Sequence, residues 1–137
     1  MISTIVVGTD GSQTARRAVA IAADLARSLD ADLHVVHGFH DPAAGQRSPL
    51  PGDRWREANE AVLADALADP SLDGIRAQGH SVPGGVVEAL VSVATETGAE
   101  LIVVGNRGLH GPGGSLDSVA GRVALVAPCH LMVAKTT

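Results

Sequence analysis

Thr4-Ile5-Val6-Val7-Gly8-Thr9-Asp10-Gly11-Ser12 carries the architecture in nine residues. Its first half is an unbroken apolar run rich in β-branched residues. That predicts a strand buried on both faces, because a strand with one wet face would alternate polar and apolar positions. Thr9 to Ser12 is a turn cluster. Beyond it Ala18, Val19, Ala22, Leu25, Ala26 and Leu29 recur at helical spacing, with Arg16, Arg17, Asp24 and Arg27 on the opposite side. Strand, turn and amphipathic helix form the opening unit of a parallel sheet.

The pattern repeats along the chain. Asp32-Leu33-His34-Val35-Val36-His37 predicts a second strand, and Gly38 to Asp53, with Pro42, Pro49 and Pro51, is a long loop without usable period, a length usually associated with function. Trp55, Ala58, Val62, Leu63, Ala66 and Leu67 outline a second helix that the Asp69-Pro70 step ends. A weak third strand spans Ile75 to Val82. Pro83 suits the first turn of a third helix, carrying Val86, Val87, Leu90, Val91 and Ala94 and closed by Gly98. Glu100 to Val104 is the most strand-like segment. A glycine-rich loop, Gly105 to Gly114, a helix from about Asp117 to Val126 and a last strand, His130 to Ala134, complete the chain. Five strands alternating with four helices predict an α/β fold, an open, doubly wound, five-stranded parallel sheet with helices on both faces. Ligands of such sheets bind outside the carboxyl ends of the strands, where the strand order reverses. The loops at Asp10, Gly38 and Gly105 to Ser118 are therefore the functional candidates.

With 137 residues, 45% hydrophobic and 18% charged, the chain suits one domain, 1–137, with enough buried surface to need no metal or disulfide staple. A single cysteine, Cys129, excludes an internal disulfide framework and suits a reducing compartment. No leader-like segment or long apolar run suggests secretion or a membrane span, so a cytoplasmic protein is expected. A net charge of −5, with 10 Lys and Arg among 15 acids, argues against nucleic acid, whose phosphates are held by clustered cations. Phe39 and Trp55 are the only aromatics, so a base-stacking platform is absent as well and the core must be aliphatic.

Several enzyme signatures are missing. The first turn is Gly8-Thr9-Asp10-Gly11-Ser12 and not Gly-x-Gly-x-x-Gly. No phosphate loop ending in Gly-Lys-Ser/Thr, no His-Glu-x-x-His and no Gly-x-Ser-x-Gly elbow occurs. With no placed base, nucleophile or acid pair, turnover is not expected, and no catalytic residue is assigned. Six histidines, including His37 and His40, lack the third and fourth ligands that zinc needs, so no metal site is assigned. Cys129 reads as a small buried hydrophobe and Trp55 as a packing residue.

Three segments together carry a resemblance. Ile5-Val6-Val7-Gly8-Thr9-Asp10-Gly11-Ser12, then Gly98-Ala99-Glu100-Leu101-Ile102-Val103-Val104-Gly105-Asn106-Arg107-Gly108, then Ser118-Val119-Ala120-Gly121-Arg122-Val123 with Ala127-Pro128-Cys129, resemble the universal stress protein family. That resemblance implies a homodimeric stress-response regulator with strand order 3-2-1-4-5, paired through its last strand. It also implies a branch point, because one branch of the family binds ATP and another does not.

In the ATP-binding branch the loop after strand four reads Gly, two residues, Gly, nine residues, then Gly-Ser or Gly-Thr. Glycines let backbone N–H groups close on phosphates, and the hydroxyl sits at a helix N-terminus that favours anions. Gly105 and Gly108 match. Only eight residues, Leu109 to Leu116, then precede Asp117-Ser118, so the loop is one residue short and an acid replaces a glycine beside the phosphates. Ser118 keeps the hydroxyl. Asp117 is equally suited to cap the following helix and fill the phosphate site itself, which would make the chain an interaction protein that binds no nucleotide. Alternatively Mg²⁺ or Mn²⁺ bridges Asp117 to the phosphates, or the loop rearranges on Gly111, Gly113 and Gly114.

The resemblance places ATP or another adenine nucleotide against six positions. Asp10 corresponds to the acid that meets the ribose hydroxyls; it also suits an Asx-turn into the first helix. Gly38 corresponds to the residue whose backbone meets adenine. Gly105, Gly108 and Ser118 would meet phosphate, and Arg107, between the glycines, would pair with it or stay solvated. His130 to Ala134 has few charges to protect an edge, in keeping with a homodimer paired there.

Overall fold

The computed structural model describes residues 1–39, 54–107 and 118–137. Strand β1 is Thr4–Gly8, followed by α1, Gln13–Leu29, and β2, Asp32–Phe39. Helix α2, Arg54–Leu67, leads through a short 3₁₀ turn, Pro70–Leu72, to β3, Ala77–Pro83. Then come α3, Val86–Thr97, β4, Leu101–Gly105, α4, Val119–Val126, and β5, His130–Ala134. The five strands form one parallel sheet in the order β3-β2-β1-β4-β5.

Alternation along the central strands sorts the core into two layers. Ile5, Val7, Leu33, Val35, Leu101 and Val103 face α1 and α2, packing on Ala18, Ala22 and Ala26 of α1. Val6, Val36, Ile102 and Val104 point the other way, onto Val87, Leu90 and Val93 of α3 and Val123 of α4. Ile5, Leu33, Leu90 and Ile102 are fully buried. Each contributes about 1.5–3 kcal/mol by leaving water, against about 0–1 kcal/mol for an exposed ion pair, so these layers hold the fold.

Helix ends follow their residue chemistry. Ser12 caps α1, its Oγ accepting from the Ala15 N–H at 3.2 Å. Gly98 closes α3 at φ 65°, a left-handed conformation, and its N–H reaches the Ala94 and Thr95 carbonyls.

Five expectations need correction. Pro83 does not open α3 but ends β3, and α3 begins three residues later behind Gly85. On an edge strand the missing proline N–H is no loss. The second strand does not stop at His37 but runs to Phe39, and β3 starts at Ala77 rather than Ile75. The last helix starts at Val119, capped by Ser118, whose Oγ accepts from the Gly121 N–H at 3.0 Å; Asp117, expected at its start, lies outside the described residues. Leu29, counted on the buried stripe of α1, is 40% exposed as the last residue of the helix.

Candidate functional site

The chain places β2 on one side of β1 and later β4 on the other, and the helices that follow β1 and β4 pack on opposite faces, so the connections leaving these two strands diverge. A cleft of about 240 Å³ opens there. Gly8 and Gly105 form its floor, Val86 and Leu90 of α3 and Val119 of α4 give it apolar walls, and Thr9, Asp10, Ser12, Thr14 and Arg107 make it polar at the rim.

Gly38 belongs to this cleft because α3 comes close. A Cβ at Gly38 would stand 3.1 Å from the Val86 Cα, against backbone that cannot swing aside. Val86 and Leu90 can therefore wall the cleft beside the end of β2. A Cβ at Gly105 would stand 3.1 Å from the Thr136 Oγ1, a side-chain atom.

Asp10 stands just past the end of β1. Its Oδ1 accepts from the Ser12 N–H at 2.9 Å, the Asx-turn that leads into α1, and its Oδ2 accepts from Arg107 Nη2 at 2.8 Å. Burial pushes the Asp10 carboxyl up, but the hydrogen bonds from Ser12 and the guanidinium of Arg107 outweigh it and hold the group below the ordinary carboxylate value. Arg107 is therefore paired within the chain while remaining half exposed. It crosses from the end of β4 to the end of β1.

The side of the site near β4 is fastened by the chain's own end. Asn106 Oδ1 accepts from the Thr136 N–H at 2.9 Å and Oγ1 at 3.1 Å, and from the Thr137 N–H at 3.2 Å. Arg17 Nη1 donates to the Thr136 carbonyl at 2.7 Å. Near β2, buried His37 sets Nδ1 3.0 Å from the Thr9 carbonyl and Nε2 2.7 Å from Asn59 Oδ1, tying the first turn to α2. These anchors went unrecognised as site residues, as did the walls Val86 and Leu90. Their partners are distant in sequence and no local pattern marks them.

Of the sequence candidates, the structure brings Asp10, Gly38, Gly105 and Arg107 to one cleft. Ser118 is buried at the start of α4, whose first residues, Val119 and Ala120, line it. Gly108 and the Leu109 to Asp117 stretch lie outside the described residues, as does His40. Among the described residues no group of three or more His, Cys, Asp or Glu side chains gathers as metal ligands, and no helix is long and apolar enough to cross a membrane. Cys129 packs against the second core layer, and burial, then Glu100, push its thiol up.

The model of the universal stress protein family matches residues 1–135. The chain belongs to this family. It is 34% identical to a universal stress protein of Thermus aquaticus over 98% of this chain and 100% of that one. It is 33% identical to one of Mycobacterium tuberculosis over 98% and 97%. A crystal structure of a universal stress protein in complex with cAMP superposes with a TM-score of 0.84, at 30% identity and 99% coverage of both chains. The Archaeoglobus fulgidus universal stress protein in complex with dAMP gives 0.75 at 26% identity, covering 97% of this chain and 98% of that one.

Proposed function

We propose that this chain is a homodimeric, cytoplasmic stress-response regulator that binds an adenine nucleotide in the cleft at the carboxyl ends of β1, β2 and β4. The observation that carries it is the convergence of Asp10, Gly38, Gly105 and Arg107 on one cleft that is apolar within and polar at its rim. The fit to an adenine nucleotide is chemical. Val86 and Leu90 offer a dry wall for a purine, a carboxylate at Asp10 accepts from ribose hydroxyls, and the Arg107 guanidinium and the Ser118 end of α4 suit phosphate. Related proteins of the same fold hold cAMP and dAMP, both adenine nucleotides with a single phosphate. A monophosphate is also the ligand that asks least of a phosphate loop one residue short. A bridging Mg²⁺ would rest on Asp117.

Dimerisation is supported by β5, which among the described residues pairs only with β4, so that its other edge has no strand partner there, beside exposed Val133, Leu125 and Val126. Light scattering should give twice the chain mass across micromolar concentrations; a monomer throughout contradicts the dimer.

The nucleotide is tested by calorimetric titration of AMP and ATP into the wild type and Asp117→Gly, with and without Mg²⁺. Micromolar binding by the wild type is expected. Binding by Asp117→Gly alone would instead make the wild type an interaction protein whose phosphate site is closed by its own carboxylate.

A further inference from the structure

Among the described residues, Asp10 and Arg107 are the only charged side chains lining the cleft, and they are paired with each other. Each Asp10 oxygen already accepts a bond, Oδ1 from the Ser12 N–H and Oδ2 from Arg107. Each oxygen keeps a second lone pair, so a ribose hydroxyl competes with Arg107 where it approaches Oδ2 from the side that the guanidinium occupies. The contest is open, because the two side chains are 53% and 58% exposed and a pair that wet is worth only about 0–1 kcal/mol. The backbone leading to Arg107 is not free to follow its side chain, since Asn106 is pinned by Thr136 and Thr137. Exchange of the guanidinium is thus a side-chain rotation over a fixed base.

A neutral nucleoside that displaced Arg107 would gain the Asp10 contact and strand a guanidinium. A nucleotide brings its own anion to receive it. Resting on the nucleotide reading above, we propose that Arg107 is an exchangeable latch, held on Asp10 in the empty cleft and transferred to phosphate in the loaded one. The cleft thereby selects phosphorylated adenosine over adenosine. One solvent-weakened ion pair is replaced by two contacts, hydroxyls on Asp10 and phosphate on Arg107, the second charge-assisted and suited to bidentate geometry. The latch discriminates by what the ligand gives back to the arginine and needs no added pocket.

The two ligands respond in opposite directions to loss of the latch. Calorimetric titration of adenosine and of AMP into wild type, Arg107→Gln and Arg107→Lys separates the outcomes. Wild type should prefer AMP by at least about tenfold, as one charge-assisted hydrogen bond allows. In Arg107→Gln adenosine should bind more tightly than to wild type and AMP less tightly, bringing the two within about twofold, and Arg107→Lys should restore part of the preference. Equal weakening of both ligands in Arg107→Gln, as a merely structural arginine would give, overturns the latch while leaving the nucleotide reading intact. So does an undiminished AMP preference. Absence of AMP binding by the wild type and both variants overturns the nucleotide reading itself, and the latch with it.

Discussion

The two ends of the sheet use charge in opposite ways. At the amino ends of the strands, Glu100 accepts from the Ser3 N–H at 2.6 Å and the Thr4 N–H at 3.1 Å, and Arg76 reaches Asp32, the Asp30 carboxylate and the Asp30 carbonyl. Arg27 donates to the Ser71 carbonyl at 2.9 Å. Glu100, Arg76 and Arg27 each hold at least one main-chain bond across the fold, so releasing any of them gives up a tie between elements as well as a charge contact. At the carboxyl ends, Asp10 and Arg107 are joined side chain to side chain across a cleft, and the bond can be given up without moving the backbone. Both ends carry charge, and the proposed latch draws on the pair that is joined through side chains.

The largest way to sharpen that contrast is a matched pair of core truncations. Leu90→Ala and Leu33→Ala should each cost about 2–5 kcal/mol in urea unfolding, because both side chains are fully buried. Leu90 also lines the cleft, so only Leu90→Ala should weaken nucleotide affinity of the folded protein. Equal weakening by Leu33→Ala would break the separation of core from site. Next, Gly38→Ala should cost about 1–3 kcal/mol, because its Cβ meets the Val86 backbone, and should reduce binding by shifting the start of α3. Full stability and affinity in this variant would show that the close approach is unimportant.

Acidification should weaken the protein in two stages, read as urea midpoints against pH. Burial and the neighbouring His80 hold His34 below the ordinary imidazole value against the pull of Asp32. Its neutral form is thus favoured in the fold, and its contribution is present above the ordinary imidazole range and lost as pH falls through the folded value. Glu100, lowered by the Ser3 and Thr4 bonds, and Asp10 behave alike one stage lower: their contributions are present above the ordinary carboxylate range and lost below it. His34→Gln should remove the first stage only; a first stage that survives it belongs to another group. The smallest effect is expected from Arg107→Gln, whose unfolding free energy should change by only about 0–1 kcal/mol. A larger loss would make the Asp10 pair a structural tie like those at the opposite end.

Much of this was legible in residues. The unbroken apolar runs of β1 and β4 gave the parallel sheet, Gly98 marked the end of α3, and the order of Asp10, Gly38 and Gly105 pointed to one edge of the sheet. Gly38 misled as a boundary because glycine usually interrupts strands, whereas here it stays in the strand so that α3 can approach. Edge strand β3, with Gln78, Gly79, His80 and Ser81, lacks the apolar run of a buried strand, so its limits and the role of Pro83 were blurred. The partner of Arg107 lies 97 residues away at Asp10, a distance over which local patterns say nothing. The Asn106 clamp is hidden for the same reason, closing only when the chain end returns beside β4.

The most direct test of a functional carboxyl end and a structural amino end is a backbone amide NMR titration with AMP. Saturable shifts should concentrate at Thr9, Asp10, Gly38, Gly105, Arg107 and Ser118, with Asp32, Arg76 and Glu100 unmoved. Shifts concentrated on those last three, or none at millimolar AMP, would contradict it.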